Sequence, residues 1–263
     1  MALWLDGYEK VVVSTGRTGA SPRHPESPGR IVLHTTEGLR TFDYPWPPHF
    51  TLGLVGDPHS LQPGLHWFPG GSRRLALGDV LKLQHCDLAL SSYALLHRDI
   101  DPDTNHRGSH CVQVEIISTA AAPPHWSQAM YDLVGGWLAD VVTGLPDLLP
   151  VLDNYPDPAM WSERGSWGFD APQRMTWAEW ENGINGRPGV PFLCAHQHVP
   201  GNDHWDTGAL DVVRLVMAAK AFLNPSVPDE SEPTFRQVVR ARLRRLEERM
   251  DAMEAFHASP VGP

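Results

Sequence analysis

The chain has 263 residues, of which 41% are hydrophobic and 20% charged, with a formal net charge of −10 at pH 7. This composition provides enough apolar side chains for a packed core and excludes a generally disordered chain. The acidic balance argues against a nucleic-acid-binding protein. Three cysteines cannot all pair, so a disulfide framework is not indicated.

The first ten residues contain acidic side chains and no long apolar stretch, so they do not resemble a signal peptide. The sequence also has no run of 18 apolar residues, which a membrane-spanning helix requires. We therefore expect a protein made soluble in a cytoplasm, without an integral membrane segment.

The N-terminal third is predicted to contain one buried strand between loops. Residues 14–29 are rich in Ser, Gly, Pro and Arg, which is typical of a surface loop. The apolar run 31–34 lies between Gly29 and Gly38 and predicts a buried strand. Residues 43–80 contain many Pro and Gly and are predicted to form a long irregular excursion.

A second strand is predicted over residues 112–117. Successive side chains of a strand point to opposite faces, so this segment has two distinct sides. One face contains Val112, Val114 and Ile116, and the other contains Cys111, Gln113 and Glu115.

A helix follows, because apolar residues recur at helical spacing from Met130 to Val141. Gly144 and Pro146 are predicted to end it. Residues 145–192 are loop-rich, and their tryptophans are expected to pack in the core and loops rather than form a platform for sugars.

The remaining elements complete an α/β domain. Residues 193–198 are predicted to form a last short strand, and residues 207–222 a mostly buried helix. Strands alternating with helices favour a central mixed β-sheet flanked by helices, within one loop-rich domain over residues 1–224.

The C-terminal end differs in character from this domain. Residues 225–233 are predicted to form a polar, acidic linker, and residues 234–263 a basic helical tail with coiled-coil-like spacing over 239–253. This spacing is compatible with a short coiled coil that allows self-association through residues 234–257, or with a helix docked on the domain. The stretch from Arg236 to Arg249 contains six arginines and two glutamates. For these arginines a solvated helix face is favoured over the binding of anionic wall polymers or of a membrane surface.

The strongest local signal for chemistry is the segment 194–208. In it, His196 is followed ten residues later by Asp206 across a Pro-Gly turn, and such a loop returns both side chains to one point. His34 from a distant strand would complete a three-ligand set with one coordination position open, as a catalytic zinc requires. Nitrogen and oxygen ligands also suit zinc.

Each of these residues also has a structural interpretation. His34 is compatible with a hydrogen-bonded core histidine, and Asp206 with an N-cap of the helix predicted from Thr207. Alternation along the last predicted strand leaves a second ligand set open, consisting of Cys194, His196 and His198.

Three segments in this order resemble the type-2 N-acetylmuramoyl-L-alanine amidases. They are Ile-Val-Leu-His-Thr-Thr-Glu-Gly (31–38), Gln-Val-Glu-Ile (113–116) and His-x9-Asp-x-Gly (196–208). This superfamily includes phage lysozyme-amidases, bacterial muropeptide amidases and peptidoglycan recognition proteins. The segments His-Thr-Thr-Glu-Gly and Val-Pro-Gly-Asn-x-His-Trp-Asp look most like endolysins of phages that infect actinobacteria. The resemblance covers roughly residues 28–222.

The resemblance implies the fold of that superfamily and a role for each matching residue. His34, His196 and Asp206 match the ligands of one zinc ion, and Glu115 matches the general base of the bacterial members. His204 stands where many members have a lysine that stabilises the oxyanion. A histidine can also donate a hydrogen bond to a developing negative charge, although its role then depends on pH.

Three further residues are candidates for substrate binding: His49, Asn105 and Trp205. Trp205 is the aromatic residue next to Asp206 in the ligand segment. Pro48 precedes His49, where some phage members have a catalytic tyrosine. This departure places more weight on Glu115 as the group that moves protons.

The resemblance thus implies a zinc-dependent hydrolase that cleaves the amide between muramic acid and L-alanine in peptidoglycan. As an endolysin, it would stay in the host cytoplasm until a holin opens the membrane. An inactive peptidoglycan-binding module and a zinc peptidase that cuts another wall bond remain as alternatives, although no His-Glu-x-x-His motif is present. A glycosidase is disfavoured, because it would need paired carboxylates and no metal.

Overall fold

The computed structural model describes residues 3–12, 26–38, 48–68, 71–92, 94–95, 104–105, 108–161, 174–201 and 204–224. The strands within these residues are β1 (Glu9–Lys10), β2 (Arg30–Thr35), β3 (Phe50–Leu54), β4 (Gly64–Phe68), β5 (Gly71–Leu75), β6 (Val80–Gln84), β7 (Cys111–Ile116) and β8 (Phe192–Ala195). The α-helices are α1 (Gln128–Gly144), α2 (Trp177–Asn182) and α3 (Val212–Leu223). Short 3-10 helices span Pro123–His125, Pro146–Asp153, Pro158–Met160 and His196–His198.

Six of the strands form one mixed sheet in the order β1-β6-β3-β7-β2-β8. Only the β3–β6 pair within it is antiparallel, and β4 and β5 form a separate antiparallel pair. The expected α/β class with a central mixed sheet and flanking helices is therefore confirmed.

One face of the sheet packs against α1 and α3. Because side chains alternate along a strand, every second residue of the central strands points into this layer. The buried residues contributed by β2, β7 and β8 are Ile31, Leu33, Val112, Val114, Ile116, Leu193 and Ala195.

The long helix α1 is confirmed with the end that the sequence predicts. Ser127 caps its first turn by accepting a hydrogen bond from the Met130 N–H, and the helix ends at Gly144. Gly135 allows close contact with α3, since a Cβ there would lie 2.7 Å from the Ala218 Cβ. The pairing of a glycine with an alanine thus brings the two helices together.

The opposite face of the sheet has two parts. At its amino-terminal end, the Arg30 guanidinium lies 4.2 Å from the centre of the Trp180 ring and donates to the carbonyls of Pro28 and Trp180. Trp180 and Trp161 are buried, which confirms core packing for these two tryptophans. At the carboxyl end of the same face, polar side chains replace apolar ones.

The prediction of an irregular excursion over residues 43–80 was wrong. Strands β3, β4 and β5 lie within this range. Gly53, Gly64 and Gly71 lie within these strands, whereas Gly56 and Gly78, with φ of 91° and 89°, lie in the turns that flank β3 and β6.

The predicted boundaries around the ligand segment also need correction. β8 ends at Ala195, and α3 begins at Val212 rather than at residue 207. The Arg214 N–H donates to the Asp211 carboxylate, as in an N-cap. Gly208 turns with a φ of 62°, and a Cβ there would lie 1.9 Å from the Ala120 carbonyl oxygen, so the intervening chain is not helical.

The described residues up to Leu223 belong to one compact unit, Met1–Leu223. No described helix has the length and apolarity needed to cross a bilayer. The predicted linker at 225–233, the basic tail at 234–263 and self-association through 234–257 lie outside the described residues, so the predicted domain division stays a prediction.

Three histidines are buried in the neutral form with one fixed tautomer each. In His85, Nδ1 donates to the Val11 carbonyl (3.1 Å), since a carbonyl oxygen only accepts, and Nε2 accepts from Thr51 (2.8 Å). His49 and His198 have the opposite tautomer, because each accepts a backbone N–H at Nδ1 and donates to a carbonyl at Nε2. Burial lowers the pKa of each to about 4.

These histidines predict acid-sensitive folding. Above pH 6.5 the rings are neutral in both the folded and the unfolded chain, and their contribution is complete. As pH falls from 6.5 towards 4, these histidines become protonated in the unfolded chain but stay neutral in the folded chain. The free energy of unfolding therefore decreases. Each histidine accounts for a loss of about 2 kcal/mol by pH 4.5.

His85→Gln should therefore show a smaller loss of unfolding free energy between pH 7.5 and 4.5, by about 2 kcal/mol relative to the parent. Denaturant titrations at several pH values measure this difference. His125→Gln, at an exposed position, serves as the control and should follow the parent. Equal pH slopes for His85→Gln and the parent would contradict the prediction.

Candidate metal centre

The carboxyl ends of adjacent parallel strands bring the predicted ligands to one edge of the sheet. His34 is the penultimate residue of β2, Glu115 pairs with it in β7, and His196 follows directly after β8. In open α/β sheets, ligands bind outside the carboxyl ends of the strands. The site lies where that rule places it.

Asp206 reaches the same point because a short loop is closed on itself. The Gln197 N–H donates to the Asp206 carbonyl (2.8 Å), and the Gln197 side chain donates to the Gly208 carbonyl (3.2 Å). The Thr35 N–H at the end of β2 donates to Asp206 Oδ2 (3.2 Å). These bonds fix the carboxylate beside both histidines.

The three side chains meet through Nδ1 of each histidine and the carboxylate of Asp206. The two Nδ1 atoms are 3.1 Å apart, His196 Nδ1 lies 3.3 Å from Oδ1, and His34 Nδ1 lies 3.6 Å from Oδ2. Two ligands of a tetrahedral zinc, each about 2.0–2.1 Å from the ion, lie about 3.3 Å apart. The observed spacing fits such an ion.

Burial and donor chemistry agree with this spacing. The exposed fractions of His34, His196 and Asp206 are 1%, 4% and 3%. Two imidazoles and one carboxylate suit a borderline metal ion such as zinc. The group therefore has the donor atoms, spacing and burial to hold a metal ion.

The electrostatics of the group also favour a cation. Burial alone raises the pKa of Asp206, but the charge of His196 and hydrogen bonds from His196 and His204 outweigh it and hold this pKa far below its usual range. Burial, followed by the charge of His196, lowers the pKa of His34 to about 3. Asp206 is thus an anion and His34 a neutral base, the forms that bind a metal.

Glu115 stands beside the group with a different character. Its Oε1 lies 4.0 Å from His34 Nδ1, its exposed fraction is 14%, and its Oε2 has no hydrogen-bond partner among the described residues. Burial raises the pKa of Glu115 well above its usual value, and the charges of Asp206 and Glu37 raise it further. This carboxyl group is suited to take up and release a proton.

His204 forms the solvent side of the group. Its ring stacks on His196 with centroids 4.3 Å apart, and its Nδ1 lies 3.6 Å from Asp206 Oδ1. The His204 side chain is 51% exposed. Trp205, next to it, is half-buried. Both side chains can therefore contact a molecule that approaches the group of His34, His196 and Asp206.

Two of the predicted substrate-binding residues lie in the core. His49 is fully buried, and its ring nitrogens bind the Gln113 N–H and the Leu90 carbonyl. Asn105 is buried and binds the backbone of Leu95 through both polar atoms of its amide. The structure therefore gives both side chains a role in holding the backbone, and their role in substrate binding stays a prediction.

The alternative ligand set of Cys194, His196 and His198 was also wrong. The chain turns into a 3-10 helix at His196, so the three side chains do not alternate along a strand. His198 Nδ1 accepts the Ala195 N–H, and Cys194 lies in an apolar cluster with Val32. Among the described residues, only the His34, His196 and Asp206 group has metal-ligand spacing.

Glu37 is a neighbour that sequence reasoning missed. Its Oε1 accepts hydrogen bonds from the Thr35 hydroxyl (2.7 Å) and the Ala120 N–H (2.9 Å). Burial raises the pKa of Glu37, partly offset by the Thr35 hydrogen bond. In the sequence, only its position three residues after His34 could have pointed to Glu37. In the structure its backbone has a φ of 53°.

Comparisons with known proteins give little beyond this geometry. No protein-family model matches the chain. No curated protein matches it either. Among solved structures, the hydrolase AmiA of Staphylococcus aureus in complex with its ligand is similar over 85% of this chain and 86% of that chain, with 12% identity and a TM-score of 0.42.

The site predicts that zinc stabilises the protein through these three residues. Adding Zn²⁺ to metal-free protein at a concentration about 100 times the dissociation constant should raise the unfolding free energy by about 2.7 kcal/mol. The variants His34→Ala and Asp206→Asn should lose most of this gain, since each removes one ligand. Thermal unfolding with and without zinc measures it.

The exposed His125→Ala variant is the control and should keep the full stabilisation. An equal zinc effect in His34→Ala, Asp206→Asn and the parent would show that the metal binds elsewhere.

Proposed function

We propose that the chain is a zinc-dependent N-acetylmuramoyl-L-alanine amidase, which hydrolyses the amide between muramic acid and L-alanine in peptidoglycan. The observation that supports this most is the convergence of His34, His196 and Asp206 beside the buried carboxyl group of Glu115. Three protein ligands leave one coordination position open, as in catalytic rather than structural zinc sites. The peptidoglycan substrate follows from the resemblance of the three motifs to type-2 amidases.

Zinc would be held by the Nδ1 atoms of His34 and His196 and by the Asp206 carboxylate. When bound, this ion polarises a carbonyl oxygen and makes water more acidic. The protein supplies a rigid frame for it, because two ligands sit at strand ends and the third is fixed by backbone hydrogen bonds.

Glu115 is the group that moves protons in this proposal. A carboxylate takes a proton from the attacking water, and the same carboxyl group then returns it to the departing amine of L-alanine. The raised pKa of Glu115, caused by burial and by the neighbouring carboxylates, lets it hold that proton. A nearby cation counteracts this shift, so the carboxyl group can release the proton as well.

His204 is proposed to stabilise the negative oxygen that develops as the amide carbon becomes tetrahedral. Its ring is half-exposed and fixed by stacking on His196, so it faces the approach of a substrate. A preorganised donor at such a position stabilises the transition state. Trp205 is proposed to form an aromatic wall for the sugar beside the scissile amide.

We further propose that the protein acts as a phage endolysin, held in the host cytoplasm and reaching the wall after a holin opens the membrane. The details of the His-Thr-Thr-Glu-Gly and His-Trp-Asp segments, which resemble endolysins of phages of actinobacteria, support this role.

The reaction is tested by digesting purified peptidoglycan with zinc-loaded protein. We expect new L-alanine amino termini and no new reducing ends, and no release after chelation. Reducing ends would indicate a glycosidase, and amino termini other than L-alanine a peptidase. If the protein bound peptidoglycan without releasing either product, it would be a binding module.

Glu115→Gln should lower kcat by about 10²–10⁴-fold, because it removes the proton carrier and keeps the shape of the side chain. Zinc affinity should change little, since Glu115 is not among the ligands. Glu181→Gln on α2 is the matched control and should retain activity. An active Glu115→Gln variant with bound zinc would contradict the proposed role.

A further inference from the structure

A buried glutamine, Gln113, lies on the strand that pairs with the strand of His34. In the β2–β7 register, Val32 pairs with Gln113 and His34 pairs with Glu115. Paired residues of parallel strands point to the same face of the sheet. Gln113 therefore lies two residues before Glu115, on the face that carries His34.

Two buried polar atoms at this place have no hydrogen-bond partner among the described residues. They are His34 Nε2 and Gln113 Oε1, and both are shielded from solvent. Buried polar groups of this kind are usually paired, because an unpaired group loses its hydrogen bonds to water and gains none in return. Gln113 also acts on His34 as a hydrogen-bond acceptor does, raising the pKa against the larger lowering by burial.

The orientation of the Gln113 amide follows from Asn105. Asn105 Nδ2 donates to the Leu95 carbonyl (2.9 Å), and Asn105 Oδ1 accepts the Leu95 N–H (3.0 Å). Since a carbonyl only accepts and an N–H only donates, the Asn105 amide can sit in one way only. Its Oδ1 must then receive Gln113 Nε2 (3.2 Å), which leaves Gln113 Oε1 as an acceptor.

We propose that Gln113 is a positioning residue of the metal centre, with Asn105 behind it. Gln113 Oε1 accepts the proton on His34 Nε2, and this selects the tautomer whose lone pair lies on Nδ1. That lone pair points to His196 and Asp206, where the metal is proposed to bind. The inference rests on the proposed metal function for its purpose, although the tautomer itself is a property of the metal-free protein.

The chemistry gives this arrangement a clear effect. A histidine must be neutral to bind a metal, and it must present the unprotonated nitrogen to the ion. A hydrogen bond at the other nitrogen fixes both the tautomer and the ring orientation before the ion arrives. Loss of such a partner typically weakens metal binding by roughly 10–100-fold.

The tautomer is tested by long-range ¹H–¹⁵N NMR of the imidazole nitrogens in metal-free, ¹⁵N-labelled protein at pH 7. The His34→Gln spectrum assigns the signals of His34 by difference. We expect the parent protein to show His34 protonated at Nε2 and unprotonated at Nδ1. A parent protein with the proton on Nδ1 would overturn the inference, and this measurement requires no variant of Gln113.

The effect on the metal is tested by zinc competition with a chelator of known affinity. Gln113→Met, which has no amide acceptor, should bind zinc roughly 10–100-fold more weakly and show a mixture of His34 tautomers. Gln113→Glu keeps an acceptor and should retain the Nε2–H tautomer and most of the affinity. If Gln113→Met kept both the parent tautomer and the parent affinity, the inference would be wrong.

Gln84→Met is the matched control, because Gln84 is also a buried glutamine that binds backbone groups, in this case those of Leu3, Leu5 and Cys86. It should lose stability without a change in zinc affinity or in the His34 tautomer. If the parent bound no zinc at all, the proposed function would fail, while the NMR result would still decide the role of Gln113.

Discussion

The parallel pairing of β2 with β7 on one side and β8 on the other is the constraint on which the site depends. Parallel strands end at the same edge of a sheet, so residues far apart in sequence arrive at one place. His34 and Glu115 are paired in register, and His196 begins where β8 stops. A shift of either strand by one residue would turn its side chain into the apolar layer under α1 and α3.

The site places two carboxyl groups in environments that shift their pKa values in opposite directions. Asp206 receives the Thr35 N–H and lies against two histidines, which keeps it ionised. Glu115 is buried without comparable donors and is repelled by Asp206, which favours its protonated form. A pair of titratable groups whose pKa values differ in this way commonly divides two roles in catalysis, and the roles proposed here are metal ligation for Asp206 and proton transfer for Glu115.

The sequence predicted β2, β7, β8, α1 and the approach of His196 to Asp206, because these depend on local patterns. His34 lies in a short apolar run, and the Pro-Gly turn between His196 and Asp206 closes over few residues. By contrast, β3 and its neighbours are specified by pairing with distant strands, which the abundance of Pro and Gly concealed. The late start of α3 depends on the contact of Gly208 with Ala120, which no local pattern shows.

The motifs alone do not show which of their polar residues are buried. His49 and Asn105 share residue types with substrate-contacting side chains, yet both are buried. His49 accepts the Gln113 N–H of β7, and Asn105 binds the backbone of Leu95. Gln113 belongs to the Gln-Val-Glu-Ile motif, and its relation to His34 emerges only from the strand register. Position on a sheet face, rather than residue type, separates the groups that meet solvent from those that support them.

The most direct test is X-ray absorption spectroscopy at the zinc edge on protein loaded with one equivalent of zinc. Ligation by His34, His196 and Asp206 predicts a first shell of nitrogen and oxygen atoms only, at about 2.0–2.1 Å, with outer-shell scattering from two imidazole rings. A sulfur scatterer at about 2.3 Å would place the ion on a cysteine instead. A shell without imidazole scattering would likewise contradict the site.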